Sequence, residues 1–240
     1  MKKLLVLMVF TCLSVSVSAQ TIKLATGEWA PYTSSSDPNG KVAEIVVKEA
    51  FAQVGVTVTF EHFPWVRAYK AVIEGSHHGT FPWYATDKRK QETFYSKSSI
   101  LDDTEVFFKK RNSNFDWKTL EDLKKYKIGG IIGYSHIDRF KAAGVKFAGV
   151  KNEKLNFQKL LSDRIDSFPA SKLVGYYLLK NEFKEAELSQ ITHVEQPLSE
   201  AGMYVLFSRK MPDYEALAEK FDQGLKKLKN SGRYEEILNN

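Results

Sequence analysis

The sequence predicts an α/β protein, on three observations. Short apolar runs alternate with amphipathic stretches from Thr21 onward, β-branched runs recur between those stretches, and glycines stand just beyond the stretches' ends. Residues 22–25 read as a first strand. The turn formers of 34–40, Ser-Ser-Ser-Asp-Pro-Asn-Gly, then break the chain. Residues 41–54 read as a helix with Ala43, Val46, Val47, Ala50, Phe51 and Val54 on one face and Gly55 at its end. The run Val-Thr-Val-Thr-Phe at 56–60 is a β-branched strand, and 65–74, entered through Pro64 and stopped by Gly75, is a second helix. Strand-helix-strand-helix order builds a parallel sheet whose loops gather at one edge, where ligands bind.

The middle of the chain repeats this grammar with new pieces. Residues 105–108 read as a strand, 117–123 as a short helix, 128–132 as a strand ending in the Gly133-Tyr134-Ser135 turn, and 136–143 as a helix. A helix over 152–163, an extended stretch over 165–169 and a helix over 171–179 follow. Strands at 191–194 and 203–207 and helices at 213–230 and 232–238 complete the chain. If the strands at 105–108 and 203–207 lie side by side, the chain crosses twice between two lobes. One lobe would then hold 20–105 plus 203–240, the other 106–202.

The N-terminus has the layout of a cleavable export signal over 1–19. Lys2 and Lys3 precede an apolar run from Leu4 to Leu13, and Val17-Ser18-Ala19 supplies the small residues of a cleavage site. That run is shorter than the ~20 residues that span a bilayer. The single cysteine, Cys12, lies inside it without a lipidation pattern, so the exported chain has no disulfide and depends on its apolar core. The net charge of +6 comes from basic residues interleaved with acidic ones, a solvated surface and no nucleic-acid stripe. No phosphate-cradling glycine motif, nucleophile elbow or cysteine nucleophile follows the signal. His77 and His78 point apart wherever the chain is extended, so they read as a polar loop pair rather than metal ligands. Neither a metal nor a cofactor is expected.

Several segments in a shared order carry a resemblance. They are Trp29-Ala30-Pro31-Tyr32, the helix before Gly55 with its acidic Glu44, Thr86-Asp87-Lys88-Arg89 leading to Phe94-Tyr95-Ser96, Leu120-Glu121-Asp122-Leu123 before Ile128-Gly129-Gly130, and Gly232-Arg233-Tyr234. Over these the chain resembles the bacterial extracellular solute-binding proteins of family 3, periplasmic receptors that deliver polar amino acids to ABC transporters. The resemblance implies the two-lobed periplasmic-binding fold of type II, with two crossover strands, closing on a small carboxylated solute. It implies a monomer in the periplasm that hands its solute to a transporter permease and performs no catalysis. Two other readings stay open: a periplasmic cyclohexadienyl-type dehydratase on the same fold, for which Glu28 and Glu200 are the acids to consider, and a sensory receptor not tied to transport.

The site residues follow from the same match. Arg89 stands where the family's arginine holds the solute's α-carboxylate, and a planar, permanently charged guanidinium suits that task. Trp29 matches the aromatic that packs on the solute's side chain. Trp65 is a second pocket wall or the packed start of its helix. Trp83 and Tyr84 put bulk where family members carry serine or glycine, which predicts a smaller or flatter pocket. Thr86 contacts the solute or caps the next turn. Ser135, at a helix start, offers an anion its hydroxyl and the helix dipole, or serves as the cap. Ser171 stands where the family has the aspartate that pairs with the solute's ammonium. Either a carboxylate from Glu28, Asp166 or Glu200 replaces it, or the solute carries no such ammonium.

Overall fold

The computed structural model describes residues 20–239. The export signal read over 1–19 lies outside the described residues. Nine strands form one curled sheet: β1 Gln20–Thr26, β2 Val56–His62, β3 Gly79–Tyr84, β4 Phe94–Tyr95, β5 Leu101–Lys110, β6 Ile128–Ile131, β7 Phe147–Val150, β8 Ser167–Ser171 and β9 Ile191–Phe207. They lie in the order β2-β1-β3-β9-β5-β8-β6-β7, with β4 added on β9. The flanks of the sheet are parallel (β1 with β2 and β3; β6 with β7 and β8), which needs the long crossovers that the helices supply. The centre is antiparallel, where β9 pairs with β3 and β5, and β5 with β8.

The helices are α1 Val42–Ala52, α2 Trp65–Ile73, α3 Asp87–Glu92, α4 Ser135–Ala142, α5 Glu153–Leu161, α6 Lys172–Glu182, α7 Glu185–Leu188, α8 Tyr214–Asn230 and α9 Arg233–Asn239. On α1 the expected face is the buried one, carrying Ala43, Val46, Val47, Ala50 and Phe51. It meets Leu217, Ala218, Phe221, Leu225 and Leu228 of α8, and the Phe51 and Phe221 rings sit 5.3 Å apart. That cluster, with Ile22 and Leu24 of β1 and Val205 and Phe207 of β9, is the core of the first lobe. The second lobe has two apolar clusters, one on Phe108, Phe157 and Phe168, the other on Phe107, Phe115, Trp117 and Phe140.

Both lobes hang on β5 and β9, the two crossover strands. Their pairing slips between Glu105 and Val106, opposite Ser199 and Pro197, so the ladder between the two crossover strands is interrupted there. Several features differ from the sequence expectations: the helix read over 117–123 is a 3-10 turn at Leu120–Lys125, and β4, β7, α3 and α7 are not among the elements read from the sequence. The segment 79–84 is a buried central strand although it contains Pro82, with an irregular register between Thr80 and Trp83 that tolerates the missing donor. The pieces 191–194 and 203–207 are one continuous strand of 17 residues. His77 is buried against Glu61, at 3.2 Å, rather than lying in an open loop.

Candidate functional site

The loop after β1 folds tightly on itself: Trp29 and Thr33 exchange backbone bonds of 2.8 and 3.2 Å, and the Thr33 hydroxyl donates to the Gly27 carbonyl at 2.7 Å. This presents the Trp29 indole, 6 % exposed, to the gap between the lobes. Trp29 makes edge-to-face contacts with Trp65, Tyr84 and Tyr134, at centroid distances of 6.2, 6.2 and 6.3 Å, and Trp65 makes another with Trp83 at 5.1 Å. Tyr134 belongs to the second lobe, so the aromatic cluster closes from both sides. Together with Arg89, Gly133 and Ser135 these rings line a narrow cavity of about 30 Å³ between the lobes. That is far below the roughly 300–1,000 Å³ of small-molecule pockets, and the rings of Trp83 and Tyr84 are among those that fill the space.

Arg89 is the cation of this cavity. Thr86 caps α3 by accepting the Arg89 backbone N–H at 3.2 Å, which sets the helix so that the guanidinium turns inward. It lies 4.5 Å from the Trp83 ring centroid, a cation–π stack. It donates to the Tyr84 carbonyl at 2.9 Å and, across the cleft, to the Gly133 carbonyl at 3.0 Å. Burial pulls its pKa below the ordinary value. Among the described residues, no carboxylate forms an ion pair with it. Gly133, at φ +92°, holds a left-handed conformation that side-chain-bearing residues rarely adopt, and a Cβ there would stand 3.4 Å from Val66 of the opposite lobe.

Three buried carboxylates surround the cavity, and sequence reasoning passed over all of them. Asp103 of β5 accepts from the hydroxyls of Tyr32 and Ser171, each at 2.7 Å, and from the Tyr84 hydroxyl. Burial, then the Asp103 charge, pushes the Tyr84 phenol well above its ordinary value, so it remains a donor. Glu153, at the first turn of α5, accepts from the Trp29 indole at 3.0 Å and the Tyr134 hydroxyl at 2.8 Å. Burial raises its pKa against those two bonds. Glu105 of β5 lies 2.7 Å from His136. These groups meet only in the folded chain, tens of residues apart, and no local spacing marks them.

Of the residues singled out from the sequence, Arg89, Trp29, Trp65, Trp83, Tyr84 and Ser135 line the cavity. Ser135 is the first residue of α4, not its cap, and its hydroxyl makes no hydrogen bond among the described residues. The other three stand elsewhere. Thr86 is the α3 cap and borders a neighbouring groove. Ser171 is buried behind Tyr32, capping α6 and bonding Asp103. Glu28 is exposed and holds the 34–35 turn, accepting from the Ser34 hydroxyl at 2.9 Å and the Ser35 N–H at 2.8 Å. Neither other proposed carboxylate faces the cavity: Asp166 accepts the Lys127 N–H at 2.7 Å, and Glu200 is exposed on β9 opposite Thr104.

The sequence profile of the bacterial extracellular solute-binding proteins, family 3, matches residues 22–240. The chain belongs to that family. Family 3 comprises periplasmic solute receptors associated with ABC transporter permeases. The two-lobed fold is shared with an ancestral arginine-binding protein bound to arginine, at 24 % identity and TM-score 0.75 over 90 % of this chain and 96 % of that one. A histidine kinase sensor domain similar to periplasmic binding proteins matches at 19 % identity and TM-score 0.78, over 90 % and 93 % of the two chains. An ancestral amino-acid-binding protein, a precursor of cyclohexadienyl dehydratase, matches at 19 % identity and TM-score 0.72, over 90 % and 92 %. At these identities the likeness shows the family 3 fold and no ligand. No curated protein matches the chain significantly. Among the described residues no group of side chains is arranged for a metal ion, and no helix is long and apolar enough to cross a membrane.

Proposed function

We propose that this protein is the receptor for a small carboxylated solute, of the amino-acid class, which it passes to the permease of an ABC importer. In this reading it is exported by cleavage after Ala19, works as a monomer, and hinges where the β5–β9 register slips, at Glu105–Val106 opposite Pro197–Ser199. One observation carries the proposal: a half-buried guanidinium at the meeting of two lobes, bonded to two carbonyls and without a carboxylate partner of its own. Buried charges are normally paired, and an anion arriving from outside would complete this one. Such a solute touches both lobes only when they are closed, so its binding energy favours closure. Both acids considered for a dehydratase, Glu28 and Glu200, lie outside the cavity, which supports a receptor over an enzyme.

The state of the carboxylates supports a second reading of the solute. Asp103 already receives three hydroxyl donors and Glu153 takes its two on Oε1 alone, but neither carboxylate lines the cavity, so an ammonium there meets no carboxylate directly. The alternative solute is therefore a compact carboxylic acid without an ammonium. A thermal-shift panel of L-amino acids, dicarboxylates and aromatic acids, including the matched pair L-phenylalanine and 3-phenylpropionate, separates the two. A solute that binds only the folded protein raises its melting temperature. Stabilisation by amino acids and not by the deaminated acids supports the first reading, and the reverse supports the second. No shift with any acid contradicts both.

A further inference from the structure

One buried imidazole joins the crossover strands to the turn that receives Arg89. His136, with no exposed surface, has Nδ1 2.7 Å from Glu105 Oε1, and its Nε2 accepts the Ile131 backbone N–H at 3.0 Å. A backbone amide only donates, so Nε2 carries no proton. The single ring proton therefore sits on Nδ1 and is donated to Glu105, which makes the imidazole neutral and of one tautomer. Glu105 lies at the register slip between β5 and β9, and its other oxygen accepts from Ser199 of β9 at 3.3 Å. Ile131 ends β6 and opens the turn that presents the Gly133 carbonyl to Arg89 and Ser135 to the cavity. The path from hinge to site thus runs through two hydrogen bonds on one ring.

We propose that His136 is a positioning residue that fixes the Ile131–Ser135 turn, and that a second proton on its ring releases the turn. This rests on the proposed function only in taking that turn as part of the solute site. A proton on Nε2 would set two donors face to face, so the Ile131 N–H would lose its acceptor and the turn would shift. The charged and titratable groups that face the ring are Glu105 from β5, Glu153 from α5 and Tyr134 from the turn itself, with Asp103 and Tyr84 acting through Glu105.

The test is amide hydrogen exchange at Ile131 in the ¹⁵N-labelled chain between about pH 7.5 and about pH 5, the span in which histidines usually change charge. Exchange is corrected for its intrinsic pH dependence and read together with the imidazole ¹⁵N shifts. The wild type should show the Nδ1–H tautomer at the upper pH and lose Ile131 protection at least tenfold on acidification. His136→Gln offers one donor and one acceptor without titrating, and should keep its protection throughout. His136→Phe should be unprotected at both ends of the range. An Nε2–H tautomer, or wild type and His136→Gln responding alike to pH, would overturn the proposal. If Arg89→Ala still abolished solute stabilisation in that case, the function would stand and only the role of His136 would fall.

Discussion

Arg89 is held by its surroundings as well as poised for a solute. It donates to two carbonyls and stacks on Trp83, and one of those carbonyls belongs to the other lobe. Arg89→Ala should therefore lower the unliganded melt modestly, by about 1–3 kcal/mol for charge-assisted bonds lost, and should remove solute-induced stabilisation altogether. Arg89→Lys, which keeps the charge and loses the planar fork, should bind weakly rather than not at all. Paired thermal melts with and without solute read both effects. Glu153 gives a prediction of opposite sign. Its pKa is raised in the fold, chiefly by burial, so its protonated form is the one the fold favours. The associated stability is full below the unfolded value of about 4.3 and is lost as pH rises through the folded value. Glu153→Gln can accept the same Trp29 and Tyr134 bonds without the charge, so at pH 7 it should melt above the wild type, with the gap closing towards pH 4. A variant less stable than the wild type at pH 7 would show that the carboxylate is not the strained member of that trio.

Helix and strand differ in how openly they were written. The 3.6-residue pattern of α1 announced its buried face, because each apolar side chain there packs on one surface, that of α8 and the sheet. Strand β3 was hidden by Pro82, which argues against a central strand wherever the ladder is regular. Here the irregular pairing with β9 excuses it. Strand β9 was split because its middle stretch, 195–202, runs between lobes and mixes polar and charged residues with few buried ones. Of the candidate site, Arg89, the tryptophans and Ser135 were legible through local motifs. Asp103, Glu153 and the Glu105–His136 pair were not, since their meaning comes from partners far along the chain. Packing between elements also yields a test. A Cβ at Gly224 of α8 would fall 1.9 Å from the Ala50 carbonyl oxygen of α1, and backbone cannot swing aside. Gly224→Ala should thus separate the helices and cost about 3 kcal/mol, the upper end of typical overpacking, visible in urea unfolding as a lower midpoint.

The two lobes meet through a small set of polar bonds around an aromatic interior. Trp29 to Glu153, Arg89 to Gly133 and the Tyr177 hydroxyl to Asp37 each cross the cleft. The last lies outside the cavity, so Tyr177→Phe removes a cross-lobe bond without touching the proposed solute contacts. It should open the unliganded protein, seen as a larger radius of gyration in small-angle scattering, and weaken solute binding about tenfold, as expected for a bond to a charged group. The liganded radius should not change. Equal radii for the unliganded variant and wild type would mean that this bond does not govern closure.

All of this depends on Arg89 as the receptor of an acid group. The decisive measurement is a calorimetric titration of wild type and Arg89→Ala with the acids that raise the wild-type melt and with their neutral amides. Binding of the acids by wild type alone, and of the amides by neither protein, is the expected result. Arg89→Ala binding an acid as tightly as the wild type would contradict the account.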